Sequence, residues 1–187
     1  MKNILTFAMA LLLMAGISYR ASAQEKGDMK LGINAGVALP MGDFGEAWKM
    51  GIGGSADFKY FTSEKMAFGA NLGYFMFSVK EDSGEKSSDS DPSFSFMPVL
   101  ATLDYYMGSF YVGVGAGLYL WNSKVHVPGY GDMSSNGSEL GIAPSAGILL
   151  PISDKIQFNV NGKYNMVFTE GSSTTFISAT GGILINL

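Results

Sequence analysis

Ile156-Gln-Phe-Asn-Val-Asn-Gly-Lys-Tyr-Asn-Met-Val-Phe168 is the stretch that decides the fold of this chain. Ile156, Phe158, Val160, Tyr164 and Met166 alternate with Gln157, Asn159, Asn161, Lys163 and Asn165. A period of two places the two sets on opposite faces of an extended strand, a pattern that a helix cannot use. One face is apolar and the other carries amides and a charge, so the strand separates two different surroundings.

The same alternation recurs along the chain. Near the start, Leu31, Ile33, Ala35, Val37 and Leu39 oppose Gly32, Asn34, Gly36 and Ala38. Further on, Phe110, Val112, Val114, Ala116, Leu118 and Leu120 oppose Tyr111, Gly113, Gly115, Gly117 and Tyr119. The full set of segments predicts eight strands near 29–40, 50–61, 66–79, 93–106, 110–121, 139–151, 155–168 and 175–187. Each meets the ~9–11 residues that a tilted strand needs to cross a bilayer. Gaps at 62–65, 107–109 and 152–154 read as tight turns, whereas 41–49, 80–92, 122–138 and 169–174 read as longer polar loops. Short turns at one end and long loops at the other fit an outer-membrane barrel whose N-terminus lies in the periplasm. Nothing in the pattern marks a second domain, a linker or a helix.

Hydropathy supports a membrane setting. Mean hydropathy is +0.19, yet beyond the first residues no run is long and apolar enough for a membrane helix. The other structure that satisfies every backbone group inside lipid is a closed β-barrel. The predicted fold is therefore all-β, an eight-stranded antiparallel up-and-down transmembrane barrel over residues 24–187. Residues 1–23 read as a cleaved signal peptide: Met1-Lys2, an apolar stretch from Ile4 to Ile17, and the small-x-small site Ala21-Ser22-Ala23. The chain has no cysteine, which removes disulfides and thiol chemistry. Its net charge is −4, and loss of Lys2 and Arg20 with the leader makes the remainder more acidic still. That balance argues against nucleic acid as a partner.

Charge assigns the faces. Asp57, Lys59, Asp104 and Lys163 lie inside predicted strands, all on the face opposite the aliphatic stripe. A Lys facing lipid at mid-bilayer costs ~2–4 kcal/mol, so the charge-free face meets lipid and the four charges line the lumen. A lumen salt-bridge network is the reading that suits the narrow interior of eight strands; a conduction path is the alternative. Phe58, Tyr60, Phe68, Tyr105, Phe110 and Phe158 lie near the short turns on the lipid face, and Tyr74, Tyr164 and Phe168 near the long loops. Two such belts are the expected interfacial girdles. A soluble lipocalin-like carrier is the inverse arrangement, but its outer face would carry many Lys and Glu, whereas here the polar face is mostly Gly, Asn and Ser. Pro98 and Pro144 fall inside the fourth and sixth strands, where a missing N–H breaks a ladder bond, so a bulge or local fraying is expected at each.

The stretch Gly-Ile-Asn-Ala-Gly-Val-Ala-Leu-Pro-Met-Gly-Asp-Phe at 32–44 resembles the opening strand and first loop of the small porin-like outer-membrane β-barrel family, the OmpA/OmpX-type eight-stranded barrels. Gly141 through Ala143-Pro144 to Pro151-Ile-Ser-Asp-Lys155, then Asn161-Gly-Lys-Tyr164, is similar to that family's later strands. Many outer-membrane barrels end in an aromatic residue, which this chain replaces with Leu187; Ile183, Ile185 and Leu187 keep the alternation. The resemblance implies insertion by the barrel-assembly machinery, surroundings of outer-membrane lipid and lipopolysaccharide, and no catalytic residues or cofactors to carry over.

The remaining motifs carry little chemistry. The one histidine, His126, sits in Lys124-Val-His-Val-Pro128 without the nucleophile that acyl transfer needs. It reads as a solvated loop histidine. The acidic stretch Glu81–Asp91 lacks the ligand spacing of a calcium loop and reads as a solvated loop. Gly113-Val-Gly-Ala-Gly117 has the wrong spacing for a nucleotide loop and no helix after it, so its glycines read as making room in the lumen. No metal or cofactor site is expected. Lumen-side aromatics gather toward the long loops: Phe75 and Phe77, Phe94 and Phe96, Tyr119 and Trp121. Two readings stay open for them, a packed plug beneath the loops and a mouth pocket for a small apolar ligand. The functional expectation is a non-enzymatic outer-membrane barrel with a structural or surface-interaction role and its loops outside the cell.

Overall fold

The structure, a computed structural model, describes residues 24–80, 93–127, 131–169 and 172–187; for residues 124–127, 131–133 and 172 it describes the backbone alone. The predicted signal peptide and the acidic stretch 81–91 lie outside the described residues. Eight strands form: β1 (Met29–Met41), β2 (Gly51–Ser63), β3 (Met66–Ser78), β4 (Ser93–Met107), β5 (Phe110–Val127), β6 (Gly131–Pro151), β7 (Ile156–Thr169) and β8 (Ser172–Asn186). Each pairs antiparallel with the next, and β1 pairs with β8 from Lys30↔Asn186 to Met41↔Thr175, which closes the barrel. Closure leaves no sheet edge around the wall, the condition for a β-structure in lipid. Among the described residues no helix is long and apolar enough to cross a membrane.

The faces follow the alternation. On β1, Ile33 is 77% exposed on the outside while its neighbour Asn34 is 3% exposed in the lumen. Leu31, Val112, Val114, Leu118, Phe158 and Val160 likewise point outward, as do the aromatics of both predicted girdles. The lumen is solid and layered. At the short-turn end Phe61, Ala67, Tyr106, Tyr111, Leu149 and Leu184 form one buried cluster. At the long-loop end Phe75, Phe77, Phe96, Leu100, Tyr119 and Phe176 belong to a second. Polar and charged side chains fill the space between.

Three expectations need correction. The expected loop at 122–138 is strand throughout its described residues: the β5–β6 ladder continues through Asn122↔Asn136 to Val127↔Gly131, beyond the last β6–β7 pair at Leu140↔Phe168. Its composition, rich in Ser, Asn and Gly, is that of a loop, and Ser134, Ser135, Asn136 and Ser138 are exposed without the apolar alternation that a buried face demands. The expected loop at 169–174 is likewise mostly strand, with Thr169 pairing Ser172; the threonines there favour extended backbone. The gap at 41–49 holds a short helix, α1 (Gly42–Ala47), whose N-cap Met41 makes no side-chain hydrogen bond. Six residues are too few to show helical periodicity, and the turn is held by packing.

The prolines open the ladder without shifting it. The β3–β4 pairing passes from Leu72↔Val99 to Phe75↔Phe96 with the same register on both sides of Pro98, and Pro98↔Tyr119 is kept on the β5 side. The Pro98 ring is buried in the lumen, and a Cβ on the facing Gly73 would lie 2.8 Å from Pro98 Cγ. Pro144 opens β6–β7 between Ile142↔Met166 and Ser145↔Lys163, while Val114↔Pro144 is kept. Neither forms a bulge; the register shift in these ladders lies in β2–β3, between Phe61 and Ser63.

Candidate functional site: a polar belt beneath an aromatic mouth

The alternation that turns Asp57 and Lys59 inward on β2, Asp104 on β4 and Lys163 on β7 also brings them to one level. Lys59 Nζ lies 2.5 Å from Asp104 Oδ2, reaching over β3 at Gly69. Asp104 in turn faces Gly113 of β5, where a Cβ would collide with its carboxylate. That glycine of the Gly113–Gly117 run thus makes room in the lumen. Asp57 accepts from Asn34 Nδ2 at 2.6 Å and from Asn71 Nδ2 at 2.7 Å, with Lys163 Nζ 3.9 Å from Asp57 Oδ1. Both carboxylates therefore have partners, as groups shut away from water require.

Neutral groups complete the belt. Tyr111 donates its hydroxyl to Asn159 Oδ1 at 2.9 Å and accepts from Asn161 Nδ2 at 2.9 Å. Asn159 Nδ2 donates to Asn34 Oδ1 at 3.0 Å, which joins β7 to β1 across the lumen. The cavity left at the centre, between the two ion pairs, is about 10 Å³, roughly the space of a single water. A further buried cation, Lys30, was not singled out in the sequence. Its Nζ donates to Gln157 Oε1 at 2.9 Å and lies 4.9 Å from the centre of the Phe61 ring. Its parity on β1, opposite to Leu31, was the available signal.

Above the belt the six singled-out aromatics meet. Phe75, Phe77, Phe96 and Tyr119 are buried, with Phe94 and Trp121 half-buried at the rim. Phe96 is central: its ring centre is 4.8 Å from Phe94, 6.1 Å from Tyr119 and 6.4 Å from Phe77. Tyr119 donates its hydroxyl to Asn165 Oδ1 at 2.9 Å, tying this layer to the wall. Three aromatics complete it that sequence reasoning did not include. Phe176 stacks on Phe96 at 5.5 Å, and the outward parity of Ile177, Ile183 and Ile185 would have placed it inside. Phe44 and Trp48 come from α1 and the residue after it, and their spacing of four is that of one helix face. Outside, at the same end, an open groove of about 570 Å³ runs past Tyr74, Met97, Leu120 and Trp121.

His126 lies on β5, but its side chain is outside the described residues. Among the described residues no group of three His, Cys, Asp or Glu side chains could hold a metal ion.

The fold is similar to solved outer-membrane barrels. The attachment invasion locus protein Ail of Yersinia pestis, solved in complex with the heparin analogue sucrose octasulfate, aligns with a TM-score of 0.64 at 14% identity, covering 88% of this chain and 100% of that one. Neisserial surface protein A aligns with a TM-score of 0.58 at 16% identity, over 85% and 97% of the two chains. OprG of Pseudomonas aeruginosa aligns at 0.53 and 13%, over 89% and 98%. No curated protein matches in sequence. Residues 5–179 match the model of the family described as "Putative MetA-pathway of phenol degradation". The chain belongs to that family, and its fold is that of an OmpA/OmpX-type eight-stranded outer-membrane barrel.

Proposed function

We propose that this protein is a non-enzymatic barrel that seals its own lumen and acts through its outer end. Residues 1–23 export it, the barrel-assembly machinery inserts it, and lipopolysaccharide surrounds its outward belt. The observation that carries this reading is the polar belt: two ion pairs and their amide partners leave a central cavity of only about 10 Å³. A sugar or an amino acid cannot pass such a space. What faces the medium is then the projecting β5–β6 hairpin and the capped mouth. Purified barrel reconstituted in liposomes tests this. It should migrate faster on a gel unboiled than boiled, and should give no osmotic swelling with a small sugar. Swelling at the rate of an open porin would overturn the sealed lumen; absence of the gel shift, with the protein in the soluble fraction, would favour the lipocalin-like carrier.

A second reading concerns the mouth itself. The family's description points to phenolic compounds, and the aromatic layer offers ring faces and edges, with the half-buried Glu139 opposite Tyr119 as the charge beside it. In this reading the six aromatics, with Trp48 and Phe44 above them, take up a small apolar ring compound at the cell surface.

A further inference from the structure

The mouth is already occupied, by the chain itself. Phe44 stands on α1 with its ring 5.2 Å from Phe77, 5.7 Å from Phe94 and 5.9 Å from Phe96, each contact edge-to-face. Trp48 closes over the same place, 6.2 Å from Phe44 and 5.3 Å from Phe94. An isolated phenyl ring prefers this geometry among other rings. The device that delivers Phe44 is slight. The helix has six residues, no side-chain cap and no buried residue. Its far half is the fixed part: Trp48 bridges Val79, Lys49 N donates to Ser78 O at 2.8 Å, Lys80 N donates to Ala47 O at 3.0 Å, and Lys80 Nζ donates to Gly45 O. The near end turns on Gly42, whose φ of 58° a side chain would resist. Phe44 therefore rides on a short arm, strapped at one end and hinged at the other.

We propose that Phe44 is the built-in occupant of a binding site for a small uncharged single-ring aromatic molecule, which binds by exchanging with Phe44. This rests on the second reading of the mouth and adds its regulation. The cage of Phe77, Phe94 and Phe96 matches one phenyl ring because it already holds one. Half-exposure of Phe44 at the rim leaves a polar substituent on the ligand free to face water. A site self-blocked in nine molecules of ten shows an apparent affinity about tenfold weaker than its open form.

The protein reports on this site unaided, because its two tryptophans, Trp48 and Trp121, both touch Phe94. Refolded full-length barrel in detergent is titrated with bromobenzene, a heavy-atom quencher, and with bromocyclohexane as the aliphatic counterpart. The expected result is saturable quenching by bromobenzene, with a half-saturation about tenfold lower in Phe44→Ala than in the wild type, and no saturation by bromocyclohexane. Phe44→Leu, which keeps apolar bulk but loses the ring, falls between, and carries the comparison if Phe44→Ala fails the boiled-against-unboiled gel test. Equal, saturable binding by wild type and variants would overturn the exchange while leaving the mouth reading intact. Linear quenching in every form would overturn the mouth reading and the proposal with it. Saturation by bromocyclohexane as strong as by bromobenzene would overturn the aromatic specificity.

Discussion

The belt and the mouth fill the same tube by opposite means. In the belt, each contact is directional: Lys59 to Asp104, Asn34 and Asn71 to Asp57, and Tyr111 between Asn159 and Asn161. In the mouth, rings touch rings at centre separations of about 5–6 Å, and little fixes one arrangement over another. The backbone differs in the same sense. Pairing around Asp57 and Lys59 is continuous, whereas the β3–β4 ladder opens at Pro98, beside Tyr119 of the aromatic layer; the β6–β7 opening at Pro144 lies where the two layers meet, between Ala143 and the belt residue Lys163. The lesson is a division of labour. The belt fixes which strand lies where, and the mouth stays able to repack.

That contrast breaks most readily at Asp104. Asp104→Ala leaves the Lys59 ammonium buried without its counter-ion, and removal of one partner from a buried pair costs ~3–5 kcal/mol. Urea unfolding of the barrel in lipid vesicles should show a loss of that size. The double variant Lys59→Met, Asp104→Leu should recover most of it, since an apolar pair of similar volume does not strand a charge. A double variant as unstable as the single one would mean that the belt acts as one network rather than as separable pairs.

A smaller loss tests the neutral half of the belt. Asn159→Ala removes the acceptor of the Tyr111 hydroxyl and the donor to Asn34, and groups left unsatisfied cost ~1–3 kcal/mol. The matched change in the mouth is Phe176→Leu, which keeps apolar contact with Phe96 and Tyr119 and should cost less than ~1.5 kcal/mol. If Phe176→Leu proves the more damaging, the aromatic layer is as tightly specified as the belt, and the supposed tolerance of the mouth is lost.

These two layers were not equally legible in the sequence. Lipid and lumen are different solvents, so every residue of Ile156–Phe168 carries a sign, and the strands, the closed barrel and the inward charges all follow from it. Parity placed Lys59 and Asp104 in the lumen, but their pairing needed the register across β3 and the glycine at 113, neither of which alternation encodes. The strand pairing of β5 and β6 beyond Trp121 is hidden in the sequence because the segment is rich in Ser, Asn and Gly, the composition of a loop. Phe44 and Trp48 were missed because α1 is too short to have a period, and its place depends on rings contributed by β3 and β4, more than thirty residues further along.

The smallest expected effect separates the two backbones. Pro144 faces outward, so its ring is not part of the lumen packing, and Pro144→Val supplies the absent N–H together with a residue suited to a strand. A regained backbone bond adds ~0.5–1.5 kcal/mol, while release of the proline constraint in the unfolded chain subtracts ~0.4–1 kcal/mol. The net change should therefore stay within about 1 kcal/mol. Hydrogen exchange is the sharper measurement, and should slow at the β7 amide of Tyr164, the residue opposite Pro144 across the gap. If exchange there is unchanged, the ladder is held open by the packing of the aromatic layer rather than by the proline. The mouth would then impose its own shape on the wall, and the looseness of that end would belong to its rings.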